Sequence, residues 1–456
     1  MKKVKEDVME HSCDFVEVVS YDGNALSGRI MPSSSEDVVV LKLESGYNVG
    51  LNRKKIKEIK IVKKFGKSEE KCNDIIEDRV KGKISGSMNR GLRKDLPTIS
   101  ILHTGGTIAS EVDYETGAVT PRFTPEEIVA MFPELKDIAN IHSRLIRNMA
   151  SDDMRFAHYN LMAKEIQKEI KKGVDGIIIT HGTDTMGYSG AALSFALEDL
   201  PVPVLLVGAQ RSSDRGSSDA ALNLICAAQL IAKSNFAEVA ICMHENMEDE
   251  YCLVMPGTKT RKLHTSRRDA FRVVNGRPFA RVNKIGNIDY INHNFRKRDT
   301  RRKLKLRLFK ENIKVGILKA HPNMYAKEFE FYSGFDGLVI EATGLGHIPF
   351  SKIDNLTKEH LKIRKAVRAL CKKMPVVVAP QTIFGRLQMN VYRPARELQE
   401  LGVVGNYSDM LSETTFIKLA WLLSNYPKQK IRDLICENLR GEISKRDEVG
   451  EFLDLS

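Results

Sequence analysis

Two short glycine-containing segments place threonine hydroxyls directly after apolar runs. The run TISIL, residues 98–102, continues into HTGGT, residues 103–107, and the run VDGIIIT, residues 174–180, continues into HGTDT, residues 181–185. A threonine hydroxyl becomes a nucleophile when a base takes its proton, and glycine N–H groups can hold an oxyanion. The same residue types are also typical of tight turns and helix caps. Each segment alone therefore leaves both interpretations open.

The surrounding pattern predicts how these segments are positioned. From residue 96 onward, short apolar runs alternate with amphipathic helical segments such as NLMAKEIQKEIKKG and DAALNLICAAQLIAKS, which is typical of βαβ units around a parallel sheet. In open α/β sheets, ligands bind outside the carboxyl ends of the strands. We therefore expect the threonine hydroxyls and the carboxylate of Asp184 to converge at one edge of the sheet, with a third loop, residues 209–211, beside them.

Shifts in composition divide the chain of 456 residues into five segments. The first contains short alternating strands with an Asp22-Gly23 hairpin signal, which predicts a small all-β barrel. The charged second segment predicts a linker. The fold class expected is α/β, with two parallel-sheet domains after the barrel. The expected segments are a barrel at 1–65, a linker at 66–95, an α/β domain with the catalytic loops at 96–293, a basic connector at 294–312 and a second α/β domain at 313–456.

Composition narrows the function classes. The chain has no run of about eighteen or more apolar residues and no secretory signal at its start, so we expect a cytoplasmic protein without membrane contact. Its seven cysteines are scattered without a CxxC pair, which argues against zinc, other metal sites and disulfides. The net charge of +12 favours a polyanionic partner without identifying one.

Four motifs in order resemble those of the bacterial-type L-asparaginase and glutaminase family. They are TGGTIAS at 104–110, MASDDM at 149–154, HGTDTM at 181–186 and TRKLHTSRRDAF at 260–271. The resemblance covers about residues 96–428 and implies the L-asparaginase type of fold. It also implies that Thr107 is the nucleophile that attacks the side-chain amide of glutamine. Thr183, Asp184 and Lys262 match the second catalytic group of that family.

The same resemblance implies further site residues. Gly106 and Gly182 match the loop backbone that holds the oxyanion, and Ser151 and Asp152 match the pair that holds the amino-acid head. The family often has an amide side chain at the position of Asp152. Tyr114 is the candidate for a tyrosine on a mobile loop, although it stands closer to the nucleophile than in the family. For Lys262, the alternative is a solvated surface lysine among neighbouring arginines.

The layout also resembles that of the D subunits of archaeal glutamyl-tRNA(Gln) amidotransferases. A barrel and a linker precede the asparaginase-like part, and the segments VDYETGAVTPRFTPEEI at 112–128 and TIFGRLQMNVYRPARELQELGVV at 382–404 also match. This resemblance implies a homodimeric core in a heterotetramer with two copies each of this chain and of the amidotransferase E subunit. Ammonia from glutamine would pass to the E subunit, which would bind ATP, Mg²⁺ and most of tRNA(Gln). No cofactor is expected in this chain.

Two alternatives to this function remain open at this point. The chain could be a free-standing L-asparaginase with an added binding domain, or a catalytically silent scaffold or RNA-binding protein on the same fold.

The segment GTKTRK at 257–262 is similar to part of a phosphate loop, but the required Gly and Lys positions hold Cys252 and Thr258, so no ATP site is expected. The basic stretch at 296–310 could face tRNA, but we favour a solvated interdomain connector.

Overall fold

The chain forms two compact units, Met1–Arg93 with Ser110–Arg122 and Lys94–Ala109 with Phe123–Ser456. Most of the expected linker, residues 66–92, lies outside the described residues. The two expected α/β domains lie together in the second unit, and the five segment boundaries stay predictions. The computed structural model describes residues 15–31, 38–43, 48–63, 93–106, 110–112, 119–121, 131–212 and 217–452.

Five antiparallel strands in the order β4-β3-β2-β1-β5 form the small N-terminal sheet, as the alternating pattern predicts. Valine and isoleucine side chains from β1, β2, β3 and β5 form its core, and Leu51 of β4 packs against the same core. Strands from both ends of the sheet therefore contribute to one core. The strands are β1 (Phe15–Ser20), β2 (Ala25–Met31), β3 (Val38–Leu43), β4 (Asn48–Asn52) and β5 (Ile56–Lys63).

The hairpin expected at Asp22-Gly23 joins β1 and β2. Gly23 has a φ of +87°, and its N–H donates to the carbonyl of Ser20. Glycine adopts this left-handed conformation without the penalty that a Cβ atom would add. The sequence signal for the turn is therefore confirmed.

A large α/β assembly follows, most of it in the second unit. Its strands are β6 (Thr98–His103), β7 (Ser110–Val112), β8 (Val119–Pro121), β9 (Asn140–Leu145), β10 (Gly176–Thr180), β11 (Leu197–Glu198), β12 (Val204–Val207), β13 (Val239–His244), β14 (Tyr251–Pro256), β15 (Thr260–Lys262), β16 (Phe271–Val273), β17 (Ala280–Asn283), β18 (Ile288–Tyr290) and β19 (Lys305–Leu306). Of these, β7 and β8 pair with each other as a hairpin, which is grouped with the first unit. The helices are α1 (Leu135–Ile138), α2 (Phe156–Lys171), α3 (Met186–Ala196) and α4 (Ala220–Lys233).

Eight of these strands form one sheet in the order β18-β17-β14-β13-β12-β10-β6-β9. The five strands from β13 to β9 are parallel, which confirms the expected α/β class. The remaining three run antiparallel to their neighbours, so the sheet is mixed rather than purely parallel. Strands β6, β10, β12 and β13 are almost fully buried because α2, α3 and α4 supply apolar residues to the two cores that the sheet separates, whereas the edge strand β9 has no buried residue.

A three-stranded parallel sheet follows in the C-terminal part. Helix α8 packs on α3 of the preceding assembly, where the rings of Phe195 and Trp421 lie 5.3 Å apart. The two α/β parts therefore share a core. The elements are β20 (Val315–Lys319), α5 (Ala326–Glu330), β21 (Gly337–Ala342), α6 (Glu359–Lys373), β22 (Val376–Pro380), α7 (Arg393–Leu401), α8 (Ser412–Asn425) and α9 (Lys428–Leu434). Within the described ranges, each helix is too short or too polar to cross a membrane.

Candidate active site

The two threonine-containing loops leave neighbouring strands at one edge of the large sheet. Strands β6 and β10 are paired in parallel with His103 opposite Thr180, so the segments at 104–107 and 181–185 begin side by side. The parallel order β9-β6-β10-β12-β13 reverses its winding between β6 and β10, which is the position where open α/β sheets bind ligands. The hydroxyl and the N–H of Thr104 both donate to the carbonyl of Thr180, which holds the loops together.

The glycine turn of the first loop lies directly against the second loop. Gly105 and Gly106 have φ values of +103° and +85°. A Cβ atom on Gly106 would lie 2.5 Å from the backbone nitrogen of Gly182, and one on Gly182 would lie 2.9 Å from Ser151 Oγ. Glycine is therefore required for the three backbone segments to approach so closely. Thr107 follows Gly106 in the sequence, but it lies outside the described residues.

Lys262 connects the second loop to a different part of the unit. It ends strand β15, and its Nζ atom donates to Thr183 Oγ1 at 2.9 Å and to Asp184 Oδ1 at 2.8 Å. The Lys262 side chain is only 13% exposed, whereas that of Asp184 is 69% exposed. Lys262 is therefore not a solvated surface lysine. The three residues matched to the second catalytic group lie together.

Helix capping does not account for the polar residues of the second loop. Helix α3 begins at Met186, and the residue before it, Thr185, makes no side-chain capping hydrogen bond. The hydroxyl of Thr185 instead donates to the carbonyl of Ser151 at 2.6 Å. Thr183 itself is buried, so its hydroxyl faces Lys262 rather than bulk water.

The predicted head-binding pair lies on a 3-10 turn, Ser151–Asp153, beside the second loop. Ser151 is buried, and its Oγ atom accepts the N–H of Thr185 at 3.3 Å. Asp152 is exposed on the same turn. The structure thus brings Ser151 to the two loops, and it leaves the Asp152 carboxylate accessible. Tyr114, the remaining predicted site residue, lies outside the described residues.

Two buried histidines support the loops, and sequence reasoning did not single them out. His103 Nδ1 hydrogen-bonds with Thr180 Oγ1 at 2.8 Å, and its Nε2 hydrogen-bonds with Ser143 Oγ at 2.7 Å. Burial lowers the pKa of His103 to about 4. The neutral ring therefore joins β6, β9 and β10 where the loops begin.

His181 has the same role one strand further along. Its Nε2 hydrogen-bonds with Ser189 Oγ at 2.8 Å, and its Nδ1 lies 2.6 Å from the carbonyl oxygen of Gly182. Burial lowers the pKa of His181 to about 4 as well. A usable signal was present in the sequence, since each histidine stands at the junction between a strand and its loop.

The third loop is held by a buried carboxylate. Asp219 accepts the backbone N–H groups of Gln210 and Arg211 and the side-chain amide of Asn223. A Cβ atom on Gly208, just before this loop, would lie 2.8 Å from Thr183 Cγ2. The loop therefore packs against Thr183. Across the described parts of the chain, no three His, Cys, Asp or Glu side chains are arranged to hold a metal ion.

Three family comparisons match successive parts of the chain. The asparaginase N-terminal domain family matches residues 98–296, and the glutaminase/asparaginase C-terminal domain family matches residues 314–435. The GatD N-terminal domain family matches residues 11–62, which includes the small antiparallel sheet. The matches follow the order of the structural parts.

Known proteins are similar over most of the chain. Two solved L-asparaginases, from Thermococcus kodakarensis and Vibrio cholerae, superpose with TM-scores of 0.64 at 26% and 25% identity; each covers 76% of this chain, and the match includes 100% and 99% of the respective asparaginase. The D subunit of glutamyl-tRNA(Gln) amidotransferase from Pyrococcus furiosus is 41% identical over 96% of both chains. The D subunit from Methanococcus vannielii is 42% identical over 95% of this chain and 98% of its own length. The chain belongs to the family of glutamyl-tRNA(Gln) amidotransferase D subunits.

Proposed function

We propose that this chain is the glutamine-hydrolysing subunit of a tRNA-dependent amidotransferase, with Thr107 as its nucleophile. The observation that carries the proposal is the hydrogen-bonded set of Lys262, Thr183 and Asp184 beside the Gly105-Gly106 turn. A base next to a hydroxyl is the arrangement that activates oxygen nucleophiles. A silent scaffold would not require it.

The proposed reaction has two steps. The Thr107 hydroxyl attacks the side-chain amide carbon of glutamine, a C–O bond forms, and the C–N bond breaks as ammonia leaves with the transferred proton. Water then attacks the acyl-enzyme, which releases glutamate and restores the hydroxyl. In this scheme Lys262 accepts protons through Thr183 Oγ1, and Asp184 stabilises the ammonium that forms. The backbone at Gly106 and Gly182 would hold the oxyanion.

The amino-acid head of glutamine would bind beside this set. The Ser151 hydroxyl is placed next to the second loop, where it could donate to the α-carboxylate of the substrate. The exposed carboxylates of Asp152 and Asp184 would hold the α-ammonium. We propose Tyr114 as the residue that closes over the bound substrate.

The ammonia product would serve a partner protein. We propose that the amidotransferase E subunit, in a cytoplasmic complex with two copies of each protein around a homodimeric core, uses ATP and Mg²⁺ to convert Glu-tRNA(Gln) to Gln-tRNA(Gln). The names of the related D subunits support this assignment. In this scheme the chain itself binds no cofactor.

The test measures ammonia release from glutamine and from asparagine, with the chain alone and then with the E subunit and Glu-tRNA(Gln). We expect glutamine to be the substrate whose hydrolysis is coupled to amide formation on the tRNA. The similarity to whole L-asparaginases supports one alternative, a free-standing asparaginase with an added domain. Strong hydrolysis of asparagine by the chain alone would favour that alternative and reject the amidotransferase assignment.

A matched pair of variants tests the nucleophile. Thr107→Ala should abolish ammonia release while the complex still assembles. Thr104→Ala removes the other hydroxyl of the same segment, whose partner is the carbonyl of Thr180. Thr104→Ala should lower the free energy of unfolding by about the contribution of one ordinary hydrogen bond, and it should reduce turnover no more than about tenfold. Retained turnover in Thr107→Ala would remove Thr107 from this role.

A further inference from the structure

A large cavity lies at the edge of the eight-stranded sheet opposite the candidate active site. It encloses about 1130 Å³. Strand β14 runs antiparallel to β13 and ends there at Pro256, opposite Ala240 near the start of β13. We call this cavity the C-terminal groove. Its walls are Ser194, Glu238, Val239 and residues 256–259, 276–277, 279, 291–296, 438–441, 443–446 and 448.

The lining of the C-terminal groove is strongly basic. Six lysine and arginine side chains line it, compared with the two carboxylates of Glu238 and Glu448. Three of the six cations are neutralised by nearby acids, because Lys259 pairs with Asp409, Arg296 with Glu238, and Arg440 with Glu198. The other three are the exposed side chains of Arg277, Lys445 and Arg446.

These three cations differ from their paired neighbours. Within the described ranges, no carboxylate lies within 4.0 Å of Arg277, Lys445 or Arg446. Unneutralised cations along a groove are the electrostatic signature of a site for a polyanion. The C-terminal groove therefore brings three unneutralised cations together from two distant segments of the chain.

In the basic connector, ion pairs neutralise part of the positive charge, and Lys297, Lys303 and Lys310 stay exposed. Several of its cations are held in ion pairs, and burial lowers the pKa of Arg298, which shows that this guanidinium is partly removed from water. The pairs are Arg298 with Asp175, Arg301 with Asp299, Lys305 with Asp199 and Arg307 with Glu198. These contacts support the connector interpretation of residues 296–310.

Aromatic rings at the rim distinguish between two kinds of polyanion. The ring of Tyr290 stacks on Phe295 at 5.5 Å, and the exposed ring of His293, which lines the groove, lies 5.6 Å from Tyr290. Nucleic-acid bases stack on such rings, whereas an acidic peptide makes no comparable use of them. Cations beside an exposed aromatic platform favour a nucleotide polymer.

We propose that the C-terminal groove binds an RNA strand, with Arg277, Lys445 and Arg446 on its phosphates and His293 stacked on a base. The choice of tRNA as that RNA rests on the proposed function. In this arrangement the RNA contacts the chain itself at the sheet edge opposite the glutamine site. Binding at the groove needs no part of the glutaminase reaction.

Fluorescence anisotropy with a labelled tRNA(Gln) transcript and the full chain tests this proposal. Three phosphate contacts to a single strand predict that Kd rises about 18-fold between 50 and 200 mM salt, because each contact releases counterions. The double variant Lys445→Ala/Arg446→Ala should leave one contact, for which the rise falls to about threefold. His293→Ala should weaken binding without changing this salt dependence.

A charge-matched control uses Lys372 and Lys373, two exposed lysines on α6 away from the groove. The double variant Lys372→Ala/Lys373→Ala should keep the rise of about 18-fold. An unchanged rise in the groove variant, or an equal loss in the control, would overturn the proposal. Poly-glutamate serves as the acidic-peptide control. If it binds as tightly as the tRNA, and if the groove variant abolishes that binding too, the RNA proposal is overturned in favour of an acidic peptide.

Ammonia release from glutamine, measured on the same preparations, separates this inference from the proposed function. The groove variant should retain turnover, and Thr107→Ala should retain RNA binding. In the unmodified chain, absence of glutamine hydrolysis with RNA binding intact would reject the glutaminase role alone. Loss of RNA binding in the unmodified chain, with hydrolysis intact, would reject the groove alone.

Discussion

Two lysines three residues apart should have opposite effects when each is replaced by methionine. Lys262 Nζ bridges Thr183 Oγ1 and Asp184 Oδ1 at the candidate active site. Lys259 Nζ instead lies 2.9 Å from the fully buried carboxylate of Asp409. Methionine keeps most of the apolar stem and removes the charge in both cases. The pair therefore compares a catalytic with a structural lysine in one chain segment.

The burial of the carboxylate that pairs with each lysine sets the expected loss of stability. The Asp184 side chain is 69% exposed, so its pairing with Lys262 contributes at most about 1 kcal/mol, and the bond to Thr183 about 1 kcal/mol more. Removing a general base lowers kcat about 10²- to 10⁴-fold. The Asp409 side chain is 0% exposed, and leaving it unpaired costs about 3–5 kcal/mol of unfolding free energy.

Two measurements on each variant separate these effects. Lys262→Met should lose kcat for ammonia release from glutamine while its urea unfolding midpoint changes little. Lys259→Met should show the reverse, with a clearly lowered midpoint and a kcat within about tenfold of the unmodified chain at temperatures where it stays folded.

Two results would refute this reasoning. A kcat within tenfold of the unmodified chain for Lys262→Met would show that the lysine is not the base. An unchanged unfolding midpoint for Lys259→Met would show that the buried pair with Asp409 does not stabilise the fold.

Three further predictions concern the site and its supports. Gly106→Ala should lower kcat at least about 100-fold because its Cβ atom would lie 2.5 Å from the backbone of the second loop. Gly173 is the control, since it has nearly the same φ but no atom within 4 Å of an added Cβ. Gly173→Ala should lower the free energy of unfolding by only about 1–2 kcal/mol. His103→Asn should destabilise the chain at pH 7 in urea titrations, and this difference should shrink by roughly 3 kcal/mol as pH falls from 6.5 to 4. Over that window the unfolded imidazole binds a proton and the folded one, with its pKa of about 4, does not, so the unmodified chain loses stability as pH falls; a constant difference would contradict this. Lys418→Met should cost about 3–5 kcal/mol because Glu442 is also fully buried, and adding Glu442→Gln should recover part of that loss in thermal unfolding; no recovery would argue against the pair.

The sequence predicted the architecture well because hydrophobic periodicity is a local property. The alternation in β1 appears as alternating burial, and the apolar run at 176–180 forms the fully buried strand β10. The antiparallel strands at the edge of the large sheet were not predicted. Pairing direction depends on which distant strand lies alongside, and a short apolar run does not encode that.

The candidate site was likewise predictable from the sequence only in part. The resemblance of the motifs to those of the asparaginase family selected Thr183, Asp184 and Lys262 as a group. Their contact joins residues nearly eighty positions apart, and only the packed fold shows that it forms. The nucleophile Thr107 stays a prediction from the sequence.

The distribution of positive charge shows most clearly what the sequence determines and what the tertiary structure decides. The sequence by itself determined that the chain is basic, with a net charge of +12, and that its densest cluster lies at 296–310. Tertiary structure decided where positive charge remains free, because acids distant in the sequence, such as Glu198 and Glu238, neutralise much of that cluster. Arg277 and Lys445, far apart in the sequence, line one groove instead. Net charge adds along a chain, but electrostatic pairing depends on distances that only the folded chain sets.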